Sequence, residues 1–252
     1  MPSLEVKGVR FRTDGLRPET RSYLEKKLNR IRRRERRAWN PFLRLVRALL
    51  PRDWREDPLE GCVEGRALVV GSAGGVEAIG LGAVGIDIDR TLLKIAAELG
   101  AHVEGRNGGG VPPAAGWLAA SGGDLPFGAE VFDTVLSDNV VEHFPFPVLL
   151  RHLREARRVL RRGGRCVITT PNRLFEVPAR AGHVSLHSYA EWEAMLRSAG
   201  FGEIRTPRRR SGPLGTPEGK KEKERRAAER GTRLGLSNRG LRMVTLIAQK
   251  ER

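Results

Sequence analysis

Residues Gly122–Phe144 read GGDLPFGAEVFDTVLSDNVVEHF. The stretch joins a Gly-Asp-Leu-Pro turn, a short apolar run entered through Phe132-Asp133, and a polar tail from Asp138 to His143. An apolar run of four to eight residues bounded by turn residues reads as a buried strand, here Thr134–Ser137. Polar residues at the carboxyl end of such a strand are placed where open parallel sheets bind their ligands.

Outward from this point the chain alternates strand and helix. Downstream, Pro147–Arg162 reads as a helix with Leu149, Leu150, Leu153, Ala156 and Leu160 on its apolar side, closed by Gly163-Gly164. The strand Arg165–Thr170 follows, then a helix over Ser188–Ala199 stopped by Gly200, then strands at Phe201–Thr206 and Leu241–Gln249. No apolar helix joins those last two, so an antiparallel pair is expected at the end of the sheet. Upstream, Arg66–Val70 and Ala83–Ile88 read as strands, Thr91–Leu99 as a helix, Gly105–Gly116 as a loop and Trp117–Ala120 as a further strand. Strands alternating with helices imply a mainly parallel sheet with helices on both faces.

Ahead of this core, Leu4–Phe11 suggests one short strand. Residues 17–39 suggest a charged helix with Leu24, Leu28 and Ile31 on one face. Asn40-Pro41 caps a second helix, PFLRLVRALL, read either as packed on the core or as lying in a membrane plane with Trp39 at the interface. The stretch 207–240, with RRRSGPLG and PEGKKEKERRAAERGTR, has no apolar stripe and reads as a basic insertion or lid. The expected organisation is a basic helical extension (1–60), a core (61–206), the insertion (207–240) and a final core strand (241–252).

The 252 residues carry a formal charge of +16, which is unevenly spread: +8 over 1–60, −2 over 61–204 and +10 over 205–252. Of the 46 basic residues 38 are arginine, a bias that genome composition alone can produce. Two cysteines, Cys62 and Cys166, exclude a disulfide framework and a four-cysteine zinc site. The opening MPSLEVKGVRFRTD lacks the apolar core of a signal peptide, and the apolar window 67–86 is broken by glycine. A cytoplasmic protein is expected, peripheral to a membrane if the arms meet anionic lipid.

Two further positions carry chemistry. Leu68–Gly75 (LVVGSAGG) sets a glycine turn at the end of the first core strand, where backbone can approach a ligand closely. It is not GxGxxG, since Ala73 and Val76 stand at the second and third glycine places. Asp87, at the end of the next strand, can accept both hydroxyls of a ribose. Asp89 reads as the cap of the following helix.

Taken in order, Leu68–Gly75, Asp87, Gly122–Phe144, LRRGGRCVITTPN (Leu160–Asn172) and HVSLHSYAEWEAMLRSAGF (His183–Phe201) resemble class I S-adenosylmethionine-dependent methyltransferases of the small-molecule group called type 11. The resemblance spans about 66–206 and the final strand. It implies an α/β, Rossmann-like, seven-stranded and mostly parallel sheet with an antiparallel last strand, and S-adenosyl-L-methionine as cofactor. It places Gly71, Ser72 and Gly75 around the cofactor's methionine part, Asp87 on the ribose and Ile88 along the adenine. Asp124 and Leu125 fall near the adenine, and Ser137 to Asn139 beside the sulfonium. The chain departs from the pattern at Val69 and Ser121, where the family has acidic residues, and in a short Gly75–Asp87 interval that leaves room only for a stubby helix.

Methyl transfer mainly requires nucleophile, methyl carbon and sulfur in line. A general base matters for hydroxyl acceptors. His143 and His183 are the expected catalytic candidates, each with a packing role as its alternative. His183 and His187 stand four apart, but no third ligand is near in sequence, so no metal is expected. Asp138-Asn139-Val140-Val141 replaces the Asn/Asp-Pro-Pro-aromatic motif of amino-directed nucleic-acid methyltransferases, and neither cysteine suits a cytosine C5 enzyme. The reading is a methyltransferase acting on a small-molecule acceptor, on oxygen, with an anionic surface (membrane or nucleic acid) as partner of the arms. The alternative is a basic RNA-binding protein, either methylating RNA or catalytically inactive.

Overall fold

A computed structural model describes residues 3–7, 9–38, 59, 61–106, 116–173, 182–206, 219, 222, 225 and 243–251. The helix expected over 41–50 and nearly all of the 207–240 insertion lie outside these residues. The chain divides into two compact units, residues 1–56 with 72–119 and residues 57–71 with 120–252.

The first unit opens with β1 (Ser3–Val6) and β2 (Val9–Arg12), an antiparallel hairpin where the sequence suggested one strand. Lys7 takes the left-handed turn conformation (φ 52°) that reverses the chain. There follow α1 (Pro18–Ala38), α2 (Val76–Leu81), β4 (Val84–Asp87), α3 (Arg90–Ala101), β5 (Val103–Arg106) and β6 (Gly116–Ala119). The expected 105–116 loop therefore begins later, because β5 is drawn into a ladder with β2. Val6, Val9, Phe11 and Leu24 share one core with Val76, Ile79, Ile95 and Leu99, so β1, β2 and the first turns of α1 pack into this unit. The six-residue α2 is the stubby helix that the short interval required. Asp89 caps α3, accepting from the backbone N–H groups of Thr91 and Leu92.

The second unit holds β3 (Ala67–Val70), β7 (Phe132–Asp138), α4 (Phe146–Val159), β8 (Leu160–Pro171), α5 (Tyr189–Ser198), β9 (Ile204–Arg205) and β10 (Met243–Gln249). The seven-stranded sheet runs β6-β4-β3-β7-β8-β10-β9. The pairs β4–β6, β3–β7 and β7–β8 are parallel, and β10 is antiparallel to both β8 and β9. All four residues of β3 are buried, as an apolar run in a parallel sheet should be. Leu149, Leu153, Ala156 and Val159 bury one stripe of α4.

The expected helix end at Arg162 is corrected to Val159. Lys250 Nζ donates to the Leu160 carbonyl (2.7 Å), Gly163 N–H donates to the Lys250 carbonyl (3.0 Å), and Gln249 Nε2 donates to the Gly163 carbonyl (3.0 Å). Partners some 90 residues away thus pull 160–164 into the sheet, over the helix preference of Arg161 and Arg162.

Candidate functional site

In the first unit the chain leaves β3 through a tight loop. Ser72 N–H donates to the Ile86 carbonyl (2.9 Å), while the Ser72 hydroxyl is buried and lacks a hydrogen-bond partner. Gly75 starts α2 at φ 79°, and a Cβ there would run into Trp117 and Ala96. Asp87 sits half-buried at the end of β4, its Oδ2 accepting from Ala73 N–H (2.8 Å) and its Oδ1 from Asp89 N–H (2.9 Å). Each carboxylate oxygen keeps a lone pair for a further donor. Ile88, beside it, is 81% exposed, an apolar side chain left uncovered at the mouth of the loop.

The sequence offered no signal for the groups that hold this loop. Gly74 N–H donates to Tyr23 Oη of α1 (3.1 Å), and a Cβ on Gly74 would collide with that ring. Glu77, in the first turn of α2, pairs with Lys7 and Lys27, each at 2.9 Å. Burial opposes its charge, but the two ammonium groups win and hold its carboxyl down at about 2.

In the second unit Gly71 (φ 69°) closes against Val140, leaving no room for a side chain. Asp124 is exposed and Leu125 is buried, with Leu125 N–H donating to Glu155 Oε2 (2.9 Å). Ser137 is fully buried, and its hydroxyl meets His152 Nε2 at 3.0 Å, while His152 Nδ1 lies 2.8 Å from the Gly122 carbonyl. Burial pushes His152 down to about 4, so it is neutral near pH 7. This histidine, unnoticed in the sequence, serves the core and not the chemistry. Asn139 takes a left-handed conformation (φ 51°), exposed, with its N–H donating to the Thr169 carbonyl (2.8 Å) and Nδ2 to Asp138 Oδ1 (2.7 Å).

Beyond the carboxyl ends of β7 and β8, the turn Val141–His143 meets the segment 182–185. The Glu142 carbonyl accepts from Val184 and Ser185 N–H (2.8 and 3.0 Å), and the Ser185 hydroxyl donates to the Phe144 carbonyl (2.6 Å). That latch brings His183 to His143, with ring centroids 4.9 Å apart. His143 is exposed and His183 half-buried, whereas the Glu142 side chain is only 1% exposed. Burial pushes the Glu142 carboxyl above its ordinary range, against the pull of its own backbone N–H, His143, Thr170 and His183. His187 is not part of this group, since its ring packs between Phe146 and Trp192. The four-residue spacing of His183 and His187 therefore misleads, because 183–187 is not helical.

Cys166 is buried and its thiol is pushed up to about 12 by that burial, which leaves it inert as a nucleophile. A basic hollow of 450 Å³ is lined by Arg154, Arg157, Arg158 and Lys250, with Glu130. It lies at the amino-terminal end of β7, away from the carboxyl-end groups. Among the described residues no helix is long and apolar enough to cross a membrane.

The strand order and the antiparallel β10 define an open α/β fold of the Rossmann-like type used by class I methyltransferases. The family described as a methyltransferase domain, type 11, matches residues 64–168. An S-adenosylmethionine-dependent methyltransferase of Thermotoga maritima is similar over 92% of this chain and 99% of its own, at 19% identity and a TM-score of 0.54. One from Methanosarcina mazei covers 77% and 96%, at 14% identity and a TM-score of 0.52. An uncharacterized protein of Methanocaldococcus jannaschii is 35% identical over 85 residues, 34% of each chain, so the match spans about a third of that relative's length. The methyltransferase-domain match thus covers residues 64–168, and the solved structures share the fold around it.

Proposed function

We propose that the protein binds S-adenosyl-L-methionine and methylates a small-molecule acceptor on oxygen, and that the acceptor is anionic or carried on an anionic surface. The observation that best supports cofactor binding is the Ser72–Asp87 loop: a buried hydroxyl with no partner, a carboxylate with lone pairs to spare and a bare Ile88, all in one unit. These are the complements of a polar methionine end, a ribose diol and an adenine face. When bound, the cofactor supplies a methyl group already activated by its sulfonium. In the first unit Ser72 and Gly75 would hold the methionine part, Asp87 the ribose hydroxyls and Ile88 the adenine. In the second, Gly71 and Asn139 would border the methionine part and Asp124 and Leu125 the adenine. Ser137 would act through its backbone, since its hydroxyl is committed to His152.

His143 and His183, which meet beyond the carboxyl ends of β7 and β8, would be the candidates to take the proton of an acceptor hydroxyl. The two basic arms, +8 over 1–60 and +10 over 205–252, support an anionic acceptor or surface. The same charge suits RNA contact, which would weaken steeply with salt.

Calorimetric titration with S-adenosylhomocysteine tests the reading. Wild type should bind, and Asp87→Ala should bind at least thirtyfold more weakly at both low and high salt. A folded wild-type protein that binds none would overturn the enzyme and leave the arms as the functional surface. With binding established, acceptor hydroxyl compounds, anionic ones first, are screened for methyl transfer, and RNA serves as the competing substrate.

A further inference from the structure

We infer that Glu142, His143 and His183 form a binding site for one divalent cation of the zinc class. Among the described residues they are the one group of three or more His, Cys, Asp or Glu side chains whose ligand atoms come together, all within 4.8 Å of one another. Chelation at tetrahedral geometry with bonds of about 2.0–2.1 Å needs ligand atoms roughly 3.3 Å apart. With Glu142 buried, the closure falls to the exposed His143 and half-buried His183 side chains.

Three features of the surroundings favour a cation over a merely packed trio. Glu142 is a buried carboxylate, and a buried charge is retained where it is paired or coordinates a metal. Thr170 Oγ1 donates to Glu142 Oε2 (3.2 Å) from the end of β8, which orients the carboxylate. His143 Nδ1 lies 3.3 Å from the Gly182 carbonyl, and a proton on that nitrogen leaves the Nε2 lone pair free to ligate. A carbonyl behind an imidazole and a hydroxyl behind a carboxylate are the outer contacts that fix metal ligands. Two imidazoles and one carboxylate select a borderline first-row ion such as zinc over magnesium or calcium. Three protein ligands leave a position for water or an acceptor oxygen. The binding itself does not depend on the methyltransferase reading; only a role for the ion in activating an acceptor oxygen, in place of a free imidazole base, rests on it.

The test uses tag-free, full-length protein stripped with chelator and titrated with Zn²⁺ by calorimetry and with Co²⁺ by visible absorption. One equivalent should bind, with Co²⁺ giving a tetrahedral or five-coordinate ligand-field spectrum. His183→Ala should weaken Zn²⁺ binding at least tenfold and abolish that spectrum. Thr170→Val, nearly isosteric, should weaken it about tenfold while leaving the fold intact. His187→Ala should leave it unchanged. Failure of folded wild type to bind Zn²⁺ or Co²⁺, or equal binding by His183→Ala, overturns the site. S-adenosylhomocysteine titrated into the same stripped sample separates the two readings. Loss of nucleoside binding there counts against the methyltransferase, and loss of cation binding counts against the site.

Discussion

The two units hold the loops at the carboxyl ends of their strands by different means. In the first, the glycine loop and the short α2 are braced from outside the family's stretch, by Tyr23, Lys7 and Lys27 of the basic extension. In the second, the ends of β7 and β8 are braced from within it, by His152 behind Ser137 and by the hydrogen bonds between the Glu142 turn and 184–185. A two-turn helix cannot bury enough surface to fix a loop by itself, so contacts from the β1–β2 turn and α1 hold the loop ahead of the short α2. Where the helix after the strand is long, as with α4, the sheet and its own helix suffice.

The largest effect that should break this contrast comes from Gly75→Val. The left-handed backbone and the Trp117 ring both exclude a branched side chain, so the first unit should lose about 4 kcal/mol, read by denaturant unfolding. Acid should next separate the two units by the pH at which each weakens. His152 has a folded pKa depressed to about 4 against an ordinary 6.5, so the unfolded chain takes up its proton first. The second unit should therefore lose roughly 3 kcal/mol as pH falls from 6.5 to 4. His152→Gln, which keeps hydrogen-bonding capacity without titrating there, should flatten that decline.

Glu77 works at lower pH. Its stabilisation is fully present above 4.5 and is lost as pH falls through about 2. Glu77→Gln should cost about 2 kcal/mol at neutral pH and remove the stability change between 4.5 and 2, seen by thermal unfolding at stepped pH. The smallest effect is Tyr23→Phe, which removes the acceptor for Gly74 N–H and should cost about 1 kcal/mol. Because that bond bears on the loop, S-adenosylhomocysteine affinity should fall severalfold in the same variant. An unchanged affinity would show that the extension braces the fold and not the ligand loop.

Much of the core was legible because it repeats local rules. Apolar runs between glycine turns read correctly as β3, β4 and β7, Asp89 as a cap, and the short Gly75–Asp87 interval as a stubby helix. Asp87 was singled out from its place at the end of a strand, and Ile88 only through the family resemblance. Tyr23 and Glu77 were not, because a contact across some fifty residues leaves no periodicity. His152 falls on the buried face of α4 beside Leu153, and nothing in the sequence singled it out. The Glu142–His143–His183 group was half visible: His143 and His183 were both singled out, but His183 was weighed as a ligand with His187 four residues along and not with His143 forty residues back.

The sequence by itself determined the order along the chain of the strands in the seven-stranded sheet and of the helices between them, the glycine turn after β3 and the carboxylate after β4, since these depend on side-chain period and backbone permissiveness over a few residues. Tertiary structure alone decided that β1, β2 and α1 share a core with α2 and α3, that 160–164 is strand and not helix, and that Glu142, His143 and His183 meet. Those outcomes rest on hydrogen bonds and burial between distant segments, whose free energy exceeds the local preferences that a sequence displays.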